Sequence, residues 1–292
     1  MALVRAVNTA LLRRQVKDIV ANYDGKSIFW SFSPVTYGIE DTFDAVVYHS
    51  VDLLHELEGL PKEQLLKAEE NFASKADAVI ASSREVMRHV SKVSPTPVTL
   101  WENVADTELY NSVTCSREPR AVFAGNLTPG KVDFALLRSL ANAGIDLVLA
   151  GPIGIDGVAD TDGARELMRH PKVTHVGNLP PQELATLLNS CTVGLIPYSI
   201  NPYTVGVFPM KVYEYLASGL TVVSTLLPSL ENTTSPSIIK AEGPNFIFAV
   251  KDNLSVDDEI VDSNRQQAEG HSWTMRTADA VRLIKDLVEV DV

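Results

Sequence analysis

Short β-branched apolar runs alternate with stretches whose apolar residues recur three and four apart, and the alternation repeats along most of the chain. Runs at 27–32, 45–49, 78–82 and 98–101 predict a first series of strands, with helices at 61–76 and 83–92. A second series is more regular: strands at 120–124, 145–150, 173–177, 193–197, 221–225 and 246–250, helices at 132–143, 163–170, 181–191 and 209–218. These strands are apolar on both faces, the pattern of a parallel sheet with helices on each side. Strand–helix alternation of this kind predicts doubly wound α/β domains. Between the series, 111–119 is polar and aperiodic, as linkers are. A last amphipathic helix is expected at 273–290, with Ala278, Val281, Ile284, Leu287 and Val288 on its apolar side.

The first twenty residues also read as a helix. Leu3, Val7, Leu11, Leu12, Val16, Ile19 and Val20 recur at helical spacing beside Arg5, Arg13, Arg14 and Lys17. Packing of this stripe on the first domain is the expectation; contact with an anionic lipid surface is the alternative. The four basic residues interrupt any signal-peptide core, and no run of eighteen apolar residues occurs.

Composition narrows the classes. The 292 residues are 45% hydrophobic and 21% charged, with mean hydropathy +0.05, which fits a globular chain with a large core. A net charge of −12 argues against general nucleic-acid binding. Two cysteines, Cys115 and Cys191, make neither a disulfide framework nor zinc spacing, so a reducing cytoplasm is the expected location.

The richest run is 208–225. Pro209 stands where a helix starts and Gly219 where it stops. Lys211 and Glu214, three apart, share a face. A helix start with free N–H groups and a lysine suits a diphosphate, and a neighbouring carboxylate can accept from a ribose diol. A solvated ion pair on an ordinary helix is the plain alternative.

Pro209, Lys211, Glu214, Tyr215, Leu216, Ala217 and Gly219 together resemble the nucleotide-sugar signature of GT-B glycosyltransferases, whose two Rossmann-like domains face each other across a cleft. The likeness is to bacterial teichuronic-acid and exopolysaccharide enzymes. Residues 123–131 resemble the opening loop of the donor domain, 147–152 its second strand and turn, 173–179 its base-binding region and 193–198 the strand before the signature. Upstream, 48–52 and 75–83 resemble the end of an acceptor domain. The resemblance implies a partial acceptor-side domain at 1–115, a donor domain at 116–270, and a helix at 271–292 crossing back to the first. It implies a hexosyltransferase taking a UDP- or GDP-linked sugar, with no resident cofactor and no metal, acting on a glycan or lipid-linked acceptor. Peripheral contact with the inner membrane at its cytoplasmic face would go with such an acceptor.

Roles follow by resemblance. Lys211 would meet the diphosphate, Glu214 the ribose, and Met210 would stand beside them. Gly125, Asn126 and Gly151 would let backbone approach the donor. Lys131 would be a second cation, Asn178 and Leu179 would read the base, and Thr204 would meet the sugar. Two positions depart from the family pattern: Gly206 and Asn126 stand where many retaining relatives have glutamate and arginine. An inverting reaction would need a base in the first domain, for which His49 and Asp52 are candidates; strand-end polarity or a helix cap explains both equally well. A non-catalytic nucleotide-sugar-binding remnant and a nucleotide-sugar epimerase of the same fold are the alternatives.

Other patterns carry less. Asp160 and Asp162 form a D-x-D in a glycine-rich loop, where Asp162 reads as a helix cap. Gly151, Gly154 and Gly157 lack dinucleotide-binding spacing. His170, His175 and His271 form no metal spacing. Ser82 and Ser83 lack the glycines of a hydrolase elbow, and Cys191 reads as core. The 119 residues before the donor domain are short for a full acceptor domain, so the expectation is a truncated first domain.

Overall fold

The computed structural model describes residues 2–154 and 162–289. Asp160 and Gly157, and Val290 of the predicted tail helix, lie outside them. Two compact units emerge. The first comprises Met1–Glu102, Gly206–Phe208 and the chain from Thr277 onward; the second comprises Asn103–Val205 and Pro209–Arg276.

The first unit begins with helix α1 (Ala2–Val20). Strands β1 (Ile28–Ser31) and β2 (Ala45–Ser50) follow, then α2 (Lys62–Ala73), β3 (Ala78–Ala81), α3 (Arg84–Val90) and β4 (Val98–Leu100). All strand pairs are parallel and the order is β1-β2-β3-β4, without a reversal. The central strands bury both faces, as their apolar runs require. Ser83 caps α3 by accepting from Val86 N at 3.2 Å. The stripe expected to pack α1 packs only in part: Val7, Leu11 and Ile19 are exposed, while Leu12, Val16 and Val20 are half-buried. Among the described residues no helix is long and apolar enough to cross a membrane.

The second unit starts with α4 (Thr107–Asn111), capped by Asp106. It continues as β5 (Ala121–Ala124), α5 (Phe134–Asn142), β6 (Leu147–Ala150), α6 (Asp162–Met168), β7 (Val173–Gly177), α7 (Pro181–Asn189), β8 (Val193–Ile196), α8 (Lys211–Ala217), β9 (Thr221–Ser224), β10 (Ile238–Lys240), α9 (Gly243–Asp252) and α10 (Asp258–Glu269). Helix α11 (Trp273–Glu289) follows, belonging to the first unit from Thr277 on. The sheet is parallel in the order β10-β9-β8-β5-β6-β7. That order reverses at β5 and β8, and such a switch point opens a crevice at the carboxyl ends of the strands.

Three sequence expectations need correction. The run 246–250 is helical, inside α9: Phe246 and Val250, four apart, are fully buried while Phe248 is exposed. A five-residue apolar run fits either period, and Pro244 in the first turn favours the helix. The sixth strand is instead β10. The polar stretch 111–119 is tied to the second unit: Arg117 donates to Cys191 O at 2.8 Å and to Ser218 O at 2.6 Å, and Glu118 N donates to Ser190 O. Its polarity serves these bonds. Asp162 opens α6 as its first residue instead of preceding it as a cap.

Candidate functional site

The site grows from the carboxyl ends of β5 and β6. Each strand passes into a glycine whose side-chain space is filled by a neighbour. A Cβ on Gly151, at φ +127, would lie 2.1 Å from the carbonyl oxygen of Gly125. Such a position admits only glycine, because both the backbone angle and the neighbouring backbone refuse a side chain. The turns are zipped together beyond the strands: Gly125 N donates to Ala150 O at 2.8 Å, Gly151 N to Gly177 O at 2.7 Å, and Leu127 N to Pro152 O at 2.9 Å. His175 Nε2 lies 2.8 Å from Gly151 O.

Onto this bare backbone comes Lys211. A Cβ on Gly125 would sit 2.7 Å from Lys211 Cε, so the lysine stem crosses the glycine directly. Lys211 Nζ stands 3.6 Å from Glu214 Oε2, and the two side chains are 21% and 12% exposed. Glu214 Oε2 is buried and accepts no hydrogen bond among the described residues. An unmatched buried acceptor costs about 1–3 kcal/mol, which a ligand hydroxyl or N–H would recover.

The scaffold behind the pair is rigid. Tyr215, fully buried on the far side of α8, accepts from Ala124 N at 2.9 Å and so fixes the helix to the end of β5. Burial pushes the Tyr215 phenol well above its ordinary value, so it stays a neutral hydroxyl. Gly194 makes room for it: a Cβ there would meet the Tyr215 ring at 2.3 Å. Helix α10 packs along α8, with Val261, Asn264 and Ala268 buried and Asn264 Nδ2 reaching Gly219 O at 3.4 Å. Tyr110 on α4 is buried near Glu214, and burial, then the Glu214 charge, raises its pKa.

The structure thus brings together Gly125, Gly151, Lys211 and Glu214. Asn126 and Met210 are exposed beside them. Asn178, exposed, and Leu179, half-buried, follow Gly177, whose carbonyl holds the Gly151 turn. Lys131 lies at the carboxyl end of β8 with Nζ 4.8 Å from the centre of the Tyr198 ring, a cation–π distance.

Two expectations change. Thr204 is fully buried; its hydroxyl donates to Ser199 O at 2.5 Å and accepts from Asn201 N at 2.9 Å, so it braces its own loop. The start of α8 does not offer a row of free N–H groups. Val212 N and Tyr213 N donate to Pro209 O and Met210 O, because Met210 already has helical angles and the turn begins early. Lys211 itself is left to meet an anion. Tyr110 and α10 were missed from the sequence, and Tyr215 and Tyr198 were read only as parts of the signature helix and the strand before it; α10 has too few apolar positions to register.

His49 and Asp52 lie in the first unit, one in β2 and one just past it. The His49 ring is set among Trp30, Phe32 and Trp101, at centroid distances of 6.1, 4.9 and 6.1 Å. Asp52 O accepts from Leu54 N at 2.9 Å.

With this geometry in hand, the chain can be set beside known proteins. Residues 118–261 match the family model described as Glycosyl transferases group 1. This segment resembles a group 1 glycosyl transferase domain. The chain is also 27% identical over 265 residues to TuaH of Bacillus subtilis strain 168, named as a teichuronic acid biosynthesis glycosyltransferase. That match covers 85% of this chain and 66% of TuaH, so the chain spans about two thirds of that relative. Among solved structures, a sucrose-phosphate synthase from Thermosynechococcus elongatus superimposes with TM-score 0.72 at 18% identity, covering 96% of this chain and 78% of the other. HepE of Anabaena, in complex with UDP, does so with TM-score 0.74 at 15% identity, covering 94% and 82%. The parallel α/β architecture is that of GT-B glycosyltransferases. Within the matched segment, Lys211 and Glu214 stand at the switch-point end of the sheet, where doubly wound folds take their ligands.

Proposed function

We propose that the chain is a glycosyltransferase of cell-envelope polysaccharide synthesis. It moves a hexosyl group from a nucleoside-diphosphate sugar to a glycan or lipid-linked acceptor at the cytoplasmic face of the membrane, without a catalytic metal. One observation carries the reading: Lys211 closes on the bare backbone of Gly125, 3.6 Å from a buried Glu214 oxygen that accepts no hydrogen bond. A cation over backbone suits a diphosphate. A carboxylate with unspent acceptor capacity suits the ribose diol of the same nucleotide. The UDP bound by HepE supports a UDP-linked donor, and the name of TuaH supports a role in cell-envelope polysaccharide synthesis.

In this reading the leaving diphosphate gains charge as the glycosidic bond breaks, and Lys211 with Lys131 stabilises it. Deprotonation of the acceptor hydroxyl falls to Asp52 or His49. An epimerase would release free nucleotide without an added acceptor, and a binding remnant would turn nothing over.

Thermal denaturation with a panel of nucleotides tests the donor site. UDP or GDP at a hundredfold excess over Kd raises stability by about 2.7 kcal/mol. Lys211→Ala abolishes most of that rise and lowers kcat/KM by about 10²–10³-fold. A wild-type protein indifferent to every nucleoside diphosphate would sink the proposal.

A further inference from the structure

A second convergent cluster lies in the first unit, with no part in the donor site. His55 stands in the tight turn after β2, Glu69 on α2 and His89 on α3. One donor atom from each lies within 4.8 Å of the other two. His89 Nε2 is 2.7 Å from Glu69 Oε2, and the His55 and His89 rings stack at a centroid distance of 4.4 Å, 30° apart. His55 and Glu69 are buried, while the His89 side chain is 23% exposed and gives a way in. Tyr48 Oη donates to Glu69 Oε1 at 2.7 Å and fixes the carboxylate so that Oε2 faces the imidazoles.

We infer that His55, Glu69 and His89 form a binding site for a divalent transition cation of the Zn²⁺ type. Three elements deliver two imidazoles and one carboxylate to a single point, a donor set of the kind that holds zinc with one position left for water. Donors sharing a tetrahedral zinc sit roughly 3.3 Å apart, since each bond is about 2.0–2.1 Å. The present spread, from 2.7 Å to within 4.8 Å, needs His55 to move in by up to about 1.5 Å and the His89–Glu69 pair to open slightly. Ion entry replaces the His89–Glu69 contact with two bonds to the cation. Nitrogen donors select against Mg²⁺ and Ca²⁺. Tyr48 supplies the outer contact that orients the carboxylate.

The cation would act as a clamp. Ser83, which caps α3, donates to Gly206 O at 2.7 Å, and a Cβ on Gly206 would lie 2.6 Å from Leu53 Cγ, two residues before His55. Binding would therefore stiffen the elements on which Gly206–Phe208 rests.

Full-length protein without a histidine tag, stripped with chelator, is titrated with Zn²⁺ in a calorimeter. The expected result is one Zn²⁺ per chain, with affinity lowered about tenfold or more in His55→Gln and in His89→Gln and unchanged in His170→Gln. Co²⁺ should give visible d–d absorption that saturates at one equivalent, is bleached by Zn²⁺ and survives millimolar Mg²⁺. Absence of saturable uptake by the wild-type protein, or uptake unchanged in both His55→Gln and His89→Gln, overturns the inference. Should either variant lose its circular dichroism, the Co²⁺ titration of the unaltered protein decides alone: no saturating band refutes the site. Neither readout uses a nucleotide, so failure here and failure of the donor reading are separate results.

Discussion

Two buried carboxylates, Glu69 in the first unit and Glu214 in the second, face opposite fates. Glu69 is saturated: Tyr48 and Ser50 donate to Oε1, and His89 faces Oε2. Burial alone would raise its pKa, but the bonds from His89 and Tyr48 outweigh burial and hold it below the usual carboxylate value. Glu214 is buried to a similar degree, yet its Oε2 has only Lys211 at 3.6 Å. Burial is therefore not what marks a ligand site. What suits Glu214 to a hydroxyl-bearing ligand is leftover acceptor capacity, whereas Glu69 already shares Oε2 with His89 and would have to exchange that contact for a cation. Glu69 sits on α2, where Tyr48 and Ser50 of β2 and His89 of α3 engage both of its oxygens. The second sheet reverses at β5 and β8, and Glu214 at that opening keeps an acceptor unspent.

The strongest way to break the contrast is to fill the opening. Gly151→Ala forces a Cβ onto the Gly125 carbonyl at a left-handed φ, and should destabilise the protein by about 3 kcal/mol. Denaturant unfolding checks the size. Hydrogen exchange should localise the damage to β5 and β6 and leave the amides of β2 and β3 protected; uniform loss would mean the units are not independent in this sense. Next in size is Glu69→Gln, which removes a charge bonded to His89 and Tyr48. A cost of about 2 kcal/mol is expected, read as a lower denaturant midpoint with nucleotide affinity unchanged.

The sequence carried the fold further than the site. Nine of the ten strands among the described residues follow from apolar runs flanked by helical spacing, most plainly β5, β6, β8 and β9, which are buried along their whole length. The tenth, Ile238–Lys240, is three residues long at an edge, too short to stand out, and the apolar run beside it served a helix. In the site, Lys211, Glu214, Gly125 and Gly151 were legible because a short motif and strand-end glycines mark them. Thr204 was misread because its type says nothing about whether loop carbonyls consume its hydroxyl. The His55–Glu69–His89 cluster was invisible: its members are 14 and 20 residues apart, and only the packing of α2 on α3 and on the turn after β2 unites them.

Glu214→Gln sharpens the contrast in the opposite direction. It replaces an unsatisfied buried oxygen, so the free protein should lose little stability or gain slightly. Nucleoside diphosphate binding should weaken about tenfold, equivalent to about 1.4 kcal/mol. Calorimetric titration and thermal denaturation of one preparation give both numbers. A protein destabilised as much as Glu69→Gln would show that Glu214 is structural after all.

The smallest effect concerns pH. His271 lies flat on Tyr213, at 3.7 Å and 9°, and Tyr213 adjoins Glu214 on α8. Burial, and then the Arg276 charge, hold His271 below its ordinary value of 6.5. Below pH 6.5 the unfolded chain therefore binds a proton that the folded chain refuses, and stability falls as pH is lowered. His55 in the first unit has the same sign, so both units contribute to the wild-type decline. His271→Phe keeps a ring against Tyr213 and removes only the second unit's share. With chelator present, the drop in Tm between pH 7.5 and 5.5 should shrink without vanishing. An unchanged drop would assign the whole effect to the first unit, and the region around Glu214 would then be insensitive to protons in that range.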